Sequence, residues 1–366
     1  MTTSSPHRRS RRRLSGASIG WLLLIVAVIG TVVLGLSPTP YVVEKPGPVY
    51  DVLGSSQSAG KKVPLIGISG EKTYPTAGSL DMLTVYVDGS PQQRLSWIQL
   101  ASSWFDPTRS VVPIDDIYPP GQTDEEANQQ DEVDMADSQQ DAQAAALTAL
   151  GIDYTTTVVV GQVLDGAPAD GVLKAGDEVL TVAGEKVTDL TVLQNAIQSH
   201  GTDTPIALGI SRDGTDETVD ITPQVSSDTR KPAIGIVTGA RYTFPFRVTF
   251  SLDNVGGPSA GMMLAIGIYD KLTPGDLVGG RHIAGTGTIT ADGTVGAIGG
   301  IRQKMYGARG AGADWFLAPA SNCNEVVGHV PSGLKVYAVG TLDAAIADVK
   351  AIAAGETAGL KTCNSQ

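Results

Sequence analysis

Cysteine is nearly absent from this sequence: its 366 residues hold two, Cys323 and Cys363. That excludes a disulfide-dense scaffold and a four-cysteine metal site. Basic residues are the minority, 26 Lys and Arg against 38 Asp and Glu, for a formal charge of −12. Five of the arginines (Arg8, Arg9, Arg11, Arg12, Arg13) stand within residues 1–43, where there is no acid. The remainder therefore carries 21 bases against 38 acids. A body this acidic repels phosphate backbones, so nucleic-acid binding is not expected. No Lys or Arg occurs between Arg109 and Lys174, and Asp124–Asp141 within that gap carries eight acids. The Gly-turn spacing of an EF-hand is missing, so the run reads as a solvated loop and helix face. A phosphate-binding G-x-x-x-x-G-K-[ST] loop is absent too; Gly70-Glu71-Lys72-Thr73 lacks the glycine spacing. With 42% hydrophobic and 17% charged residues, the bulk is globular and not a solvating tail. The length suggests two or three domains.

Long hydrophobic runs are represented once. Ile19–Leu36 is eighteen residues without a charge, enough to cross a bilayer as a helix. The arginine cluster directly before it predicts a cytoplasmic N-terminus and an extracytoplasmic bulk. The run ends in Gly35-Leu36-Ser37-Pro38-Thr39-Pro40, which offers no A-x-A-like cleavage site, so an uncleaved anchor is expected over a signal peptide. In an oxidising compartment Cys323 and Cys363 could pair, and two free thiols fit the sequence equally well.

Beyond the span, Pro38–Pro48 reads as a stiff tether. Lys62–Ser69 and Leu80–Val87 have strand character. Trp97, Leu100, Ala101 and Trp104 recur at i, i+3, i+4 and i+7, predicting an amphipathic helix over 94–105 with both tryptophans in the core. Asp137–Leu150 is Ala-rich and helical, with Gly151 as C-cap. Gly151–Gln224 forms a compact unit: a β-branched strand Thr155–Val163, a strand Glu178–Val182, a short helix marked by Leu190, Leu193, Ala196 and Ile197, and a hairpin turning at Arg212-Asp213-Gly214. On these residues alone it is a small β-rich domain. Val225–Lys231 reads as a linker before a second α/β unit, 232–352.

The chemistry concentrates in two glycine-rich segments. Gly256-Gly257-Pro258 is a tight turn, and the residues after it (Met262, Met263, Leu264, Ala265, Ile266, Ile268) are apolar nearly all round, as in a buried helix. Ser259 therefore stands where free backbone N–H groups and the positive end of a helix dipole gather, the ingredients of an oxyanion hole beside a nucleophile. A serine at a helix start is ordinarily just a cap. A hydroxyl also needs a base. The body offers His200, His282 and His329, none in a motif with an obvious acidic partner, although His282 stays open. The second segment, 290–312, places Gly299-Gly300 before a helix carrying Lys304. Such a lysine is ordinarily solvated, but in a dry site it loses its proton and can act as a general base.

Taken together these segments resemble a known family. The run V-L-D-G-A-P-A-D-G (163–171), followed by L-K-A-G-D-E-V-L-T-V-A-G (173–184) and a helix, resembles a bacterial PDZ domain. That resemblance implies peptide binding as an added strand, in a groove between strand Thr157–Val160 and helix Leu190–Ser199, with Thr157, Val158, Val159, Leu193 and Ile197 as its lining. G-P-S-A-G at 257–261 and I-G-G-x-x-x-K at 298–304 resemble the Lon-type Ser–Lys proteases, as do Gly285–Thr290, Gly310-Ala311-Gly312 and Leu317–Asn322. With the span included, the chain resembles the membrane-anchored, ATP-independent Lon-like proteases with a PDZ domain of bacterial envelopes. The resemblance implies Ser259 as nucleophile, Lys304 as base and Thr286 as a hydroxyl orienting the lysine; N–H groups around Gly256–Ser259, with Gly256 and Gly257 in support, are expected at the oxyanion. It also implies rings of subunits, commonly hexamers, and no cofactor. One departure stands out: Lon proteases driven by ATP carry an acid three residues before the serine, where this chain has Gly256. Asp253 and Asn254 are nearby polar candidates.

The expected architecture is α+β and multidomain: a basic cytoplasmic tail 1–18, a transmembrane helix 19–36, an extracytoplasmic α/β segment 37–150 with an acidic helix, a β-rich PDZ domain 151–226, a Lon-type α/β proteolytic domain 232–352 and a C-terminal tail 353–366. The expected function is ATP-independent endopeptidase action on unfolded or PDZ-presented polypeptides at the cell membrane. The alternative is a non-catalytic envelope adaptor that binds peptide tails; an adaptor need not keep both Ser259 and Lys304.

Overall fold

A computed structural model describes residues 16–58, 61–227, 229–252 and 255–363. The expected basic tail falls mostly outside the described residues, and Asp253 and Asn254 fall wholly outside them. The helices that organise the chain are α1 (Gly16–Leu36), α2 (Trp97–Ser103), α3 (Asp124–Leu150), α4 (Leu190–His200), α5 (Gly261–Leu272), α6 (Ile301–Ala311) and α7 (Leu342–Ala354). Eleven strands build the two main sheets: β1 (Tyr41–Asp51), β2 (Ser79–Asp88), β3 (Ser110–Pro113), β4 (Thr155–Val163), β5 (Glu178–Val182), β6 (Ile206–Arg212), β7 (Thr215–Ile221), β8 (Ile236–Thr243), β9 (His282–Gly285), β10 (Trp315–Pro319) and β11 (Lys335–Val339).

The first sheet has the order β11-β10-β9-β2-β1-β3. The strands β11, β10, β9 and β2 run parallel, and β1 and β3 complete the sheet antiparallel. Alternate residues sort to opposite faces, as a pleated strand requires. Leu80, Met82, Ile283, Leu317 and Val339 join α3, α5 and α7 in one core. Leu83, Ala284, Phe316, Ala318 and Val336 join α6 in another. The result is three layers, with α5 and α6 on opposite faces of one sheet. This corrects the expected division between 37–150 and 232–352: those segments share the sheet, and residues 41–113 supply three of its six strands. Pairing between strands some two hundred residues apart leaves no local mark in a sequence.

The second sheet, β7-β6-β5-β4-β8, has the two-residue strand Glu185–Lys186 beside β5. Its own core is built on Val158, Val160, Val179, Val182, Leu193, Leu208 and Ile210. The strand β8 lies beyond the expected boundary at 226, yet it pairs with β4 along its length, from Ile236 against Val163 to Thr243 against Thr155.

Between the sheets runs α3, 27 residues long. Thr123 caps it, accepting from Glu126 N–H, and Glu126 reaches back to Thr123 N–H, a reciprocal pair that starts a helix. Gly151 ends it at φ +66°, a left-handed conformation that costs glycine little. Its buried face holds Met135, Ala142, Ala145 and Ala146 against the α5 core; the small alanines let the two helices approach closely. The acidic segment is thus not simply a solvated face. Asp141 accepts the Tyr242 hydroxyl at 2.9 Å, and Asp131 meets the nucleophile loop described below.

The expected span 19–36 falls within α1, whose large apolar side chains are exposed, from 50% at Leu34 to 79% at Leu36. Among the described residues no helix is long and apolar enough to cross a membrane, so the fold leaves that expectation unsupported. The helix expected over 94–105 is observed as α2. Trp104, expected in the core, is the C-cap of α2 and is 62% exposed. Cys323 and Cys363 are joined as a disulfide, with Cα atoms 4.9 Å apart.

Candidate active site

The bend before α5 is pinned from two sides. On one side, the α3 residues Asp131 and Ser138 hold it: Gly257 N–H donates to Asp131 O at 2.8 Å, and the Ser138 hydroxyl donates to Pro258 O at 3.0 Å. On the other, the turn after β9 holds Ser259: Gly287 N–H and the Thr286 hydroxyl both donate to Ser259 O, at 2.9 and 3.0 Å. Gly257 supplies the turn at φ +77°, where a side chain would be strained. Its N–H is already engaged, which takes it out of the expected set of oxyanion donors in this conformation. The Ser259 N–H makes no bond to a described residue.

Lys304 arrives from the opposite face of the sheet. The helix that carries it begins after Gly300, at φ +65°. A Cβ on Gly300 would stand 2.7 Å from Val85 Cγ2, so glycine is what lets α6 lie against β2. Lys304 is 3% exposed. Its Nζ lies 2.8 Å from Ser259 Oγ and 3.2 Å from Thr286 Oγ1. Burial drives its pKa down to about 7, opposed by the nearby Glu44 carboxylate. An amine in this state is largely neutral just above pH 7, and its lone pair can accept the serine proton. The structure thus brings together Ser259, Lys304 and Thr286, and it places Gly256 and Gly257 in the loop before the serine. All of them lie at the C-terminal end of the parallel strand β9, the usual end for a site in an open α/β sheet.

Two residues of the site's surroundings left only a weak trace in the sequence. Glu44, on β1, is 8% exposed, and its pKa is raised by burial and lowered by Lys304. Asn322 is 2% exposed and clamps the approach to α6: it accepts from Ile298 N–H and donates to Ile298 O, both at 2.9 Å. A buried acid on a strand and an asparagine after a helical turn have no spacing signature, though Asn322 does fall in the run 317–322. His282 does find an acidic partner, Asp81 at 2.5 Å. It stands at the opposite end of β9 from Thr286 and forms no bond with Ser259.

A cavity of about 470 Å³ opens at the serine, lined by Ser259, Lys304, Tyr50, Tyr86, Asp131 and Met135 among others. A second cavity, about 620 Å³, lies between α4 and the segment leading into β8. Leu193 and Ile197 line it as expected, joined by Ile234, Gly235, Ile236 and Thr238. Thr157, Val158 and Val159 do not line it. Their strand, β4, is paired with β8 on one side and β5 on the other, so the free edge facing α4 belongs to β8. The expected boundary at 226 excludes this outermost strand, so the expected groove lies one strand too far inward.

Comparison with known proteins agrees with this two-part geometry. Residues 128–222 match the PDZ domain family, and residues 254–351 match the Lon protease (S16) C-terminal proteolytic domain. Lon protease 1 of Sorangium cellulosum is 42% identical over 98 residues, 25% of this chain and 11% of that protein. The Lon protease of Campylobacter concisus is 35% identical over 107 residues, 28% of this chain and 13% of that protein. The chain thus matches little more than a tenth of the length of these curated relatives. Among solved structures, the PDZ domain of an SdrC-like protein from Listeria innocua aligns with 23% identity and a TM-score of 0.22, covering 22% of this chain and 92% of that one. Ser259 and Lys304 both fall inside the segment that matches the Lon protease (S16) C-terminal proteolytic domain, and the chain thus carries a segment similar to PDZ domains followed by one similar to that proteolytic domain.

Proposed function

We propose that the protein is an ATP-independent serine endopeptidase that works through a Ser259–Lys304 dyad. The observation that carries this reading is the 2.8 Å approach of a buried lysine amine to the serine hydroxyl, inside a cavity large enough for a peptide segment. Lys304 Nζ accepts the Ser259 proton as Oγ attacks the scissile carbonyl carbon. The oxyanion that forms faces the Ser259 N–H. As the C–N bond breaks, the Lys304 ammonium returns its proton to the departing amine. Water then attacks the acyl-serine as Lys304 takes its proton; the ester C–Oγ bond breaks, Lys304 returns the proton to Ser259 Oγ and the carboxylic acid product leaves. Thr286 holds both partners: its hydroxyl donates to Ser259 O and accepts from Lys304.

None of the 366 residues forms a P-loop, so the substrates proposed are unfolded polypeptides or segments presented by the PDZ groove between α4 and β8. A peptide strand adding to β8 would place alternate side chains over Leu193 and Ile197. The charge-free run Ile19–Leu36 and the arginines before it support a further proposal from the sequence, that this segment holds the chain at a membrane with its N-terminus cytoplasmic. The direct test is degradation of casein by the full chain. Loss of cleavage in Ser259→Ala and Lys304→Ala, with PDZ peptide binding retained, is the expected result. Undiminished cleavage by Ser259→Ala would remove the mechanism.

A further inference from the structure

One wall of the cleft is α3, and Asp131 is an acid that it contributes to the lining. The backbone oxygen of Asp131 is tied to Gly257 N–H, so the main chain is fixed independently of the side chain. The side chain fills the space beside Gly256: a Cβ on residue 256 would lie 2.7 Å from Asp131 Cβ and 3.4 Å from its Cγ. The missing side chain at 256 is thus what admits the Asp131 side chain to the edge of the nucleophile loop. Among the described residues no hydrogen bond or ion pair engages the Asp131 carboxylate. Burial raises its pKa, and the neighbouring Asp134 raises it further. The one cation in the lining is Lys304, whose Nζ is already bonded to Ser259 and Thr286. Leu83, Val85 and Met135 contribute apolar surface to the other walls, beside Tyr50, Thr84 and Tyr86.

Asp131 is exposed at the rim of the cleft, where its unpaired carboxylate is open to a charge-assisted contact with a cation brought beside the nucleophile loop. The methylene stem of a lysine or arginine suits apolar walls while its charged head reaches an acid. We infer that Asp131 determines specificity: it receives the cationic side chain of a Lys or Arg close to the scissile bond and turns acidic segments away. The inference rests on the proposed peptidase function, and it adds the substrate class.

The test uses the full chain in two arms. In the first, Ser259→Ala protein binds C-terminally amidated, fluorophore-labelled peptides that differ only in Lys, N-acetyl-lysine or Glu at one central position. Lys is expected to bind about tenfold more tightly than N-acetyl-lysine, with Glu weakest. Asp131→Asn should collapse that ratio towards one, and Asp131→Lys should favour Glu. In the second arm, the bonds cleaved in casein by the unmutated chain are mapped by mass spectrometry before and after lysine acetylation. Enrichment of Lys and Arg beside the cut bonds, lost on acetylation, is expected. Equal binding of Lys and N-acetyl-lysine, or a ratio unmoved by Asp131→Asn, would overturn the inference even if casein is cut. Absence of any Ser259-dependent cut with the binding ratio intact would instead remove the peptidase reading.

Discussion

Lys304 Nζ stands 2.8 Å from Ser259 Oγ, although the two residues are 45 positions apart and enter from opposite faces of one sheet. They meet because β9 ends in Gly285-Thr286-Gly287, and Thr286 bonds to both. Burial then does the chemical work on the amine, lowering its pKa to about 7.

Activity should therefore depend on pH with a defined sign. In the proposed mechanism the neutral amine is the base, so kcat/KM for an unfolded peptide should rise with pH and reach half its plateau near pH 7. Glu44 favours the ammonium. Replacing it by Gln should move that midpoint to lower pH, which a pH–rate profile of Glu44→Gln reads directly.

A buried amine is also a liability for stability. Lys304 binds its proton less readily in the folded chain, at about 7, than at its ordinary value of 10.5. Between those values the unfolded chain holds a proton that the folded one lacks, so the Lys304 contribution to stability rises with pH across that window. Lys304→Met removes the buried charge while keeping most of the volume. At pH 7 it should abolish cleavage and raise the melting temperature by a few degrees, equivalent to about 1 kcal/mol. Calorimetry of the two proteins checks the sign.

Thr286 is 1% exposed, and its hydroxyl takes part in two of the site's hydrogen bonds, to Ser259 O and from Lys304 Nζ. Thr286→Val keeps the shape and removes the hydroxyl. Each lost bond is worth about 1–3 kcal/mol, so kcat should fall by roughly tenfold to a hundredfold. Steady-state kinetics separates this from a KM effect, which is expected to be small.

Much of the site was legible because two glycine-rich runs carry it. Gly256-Gly257-Pro258 marked the serine and Gly299-Gly300 marked the lysine, and the structure gives each a steric reason at Gly257 and Gly300. The helices α3, α4, α5 and α6 were likewise legible from periodicity, caps and apolar runs. The sheet was not. Its strands β1, β2 and β3 come from residues 41–113, and they join β9 through long-range pairing that no window of sequence reveals. The edge strand beside α4 is hidden for a related reason: Ile236–Thr243 reads as the start of the next unit until its ladder with β4 is seen. Asp131 was hidden inside an acidic run, where composition gives each carboxylate the same solvated role.

The Cys323–Cys363 disulfide closes 40 residues of chain and ties the end of the chain to the α6 core. A loop of that length stabilises by about 4 kcal/mol on the chain-entropy account. Reduction, or Cys363→Ser, should lower the denaturation midpoint by a corresponding amount. Unchanged unfolding under reducing conditions would count against a structural role for the bridge.

The most direct measurement of the central claim is the pH dependence of covalent labelling at Ser259. The full chain is treated with a serine-directed phosphonate between pH 5 and 9, and the modified residue is identified by mass spectrometry. The account predicts an adduct on Ser259 whose rate rises through about pH 7 and is lost in Lys304→Met. Hydrolysis of casein by a chain in which Ser259 stays unlabelled, or labelling that ignores Lys304→Met, would contradict it.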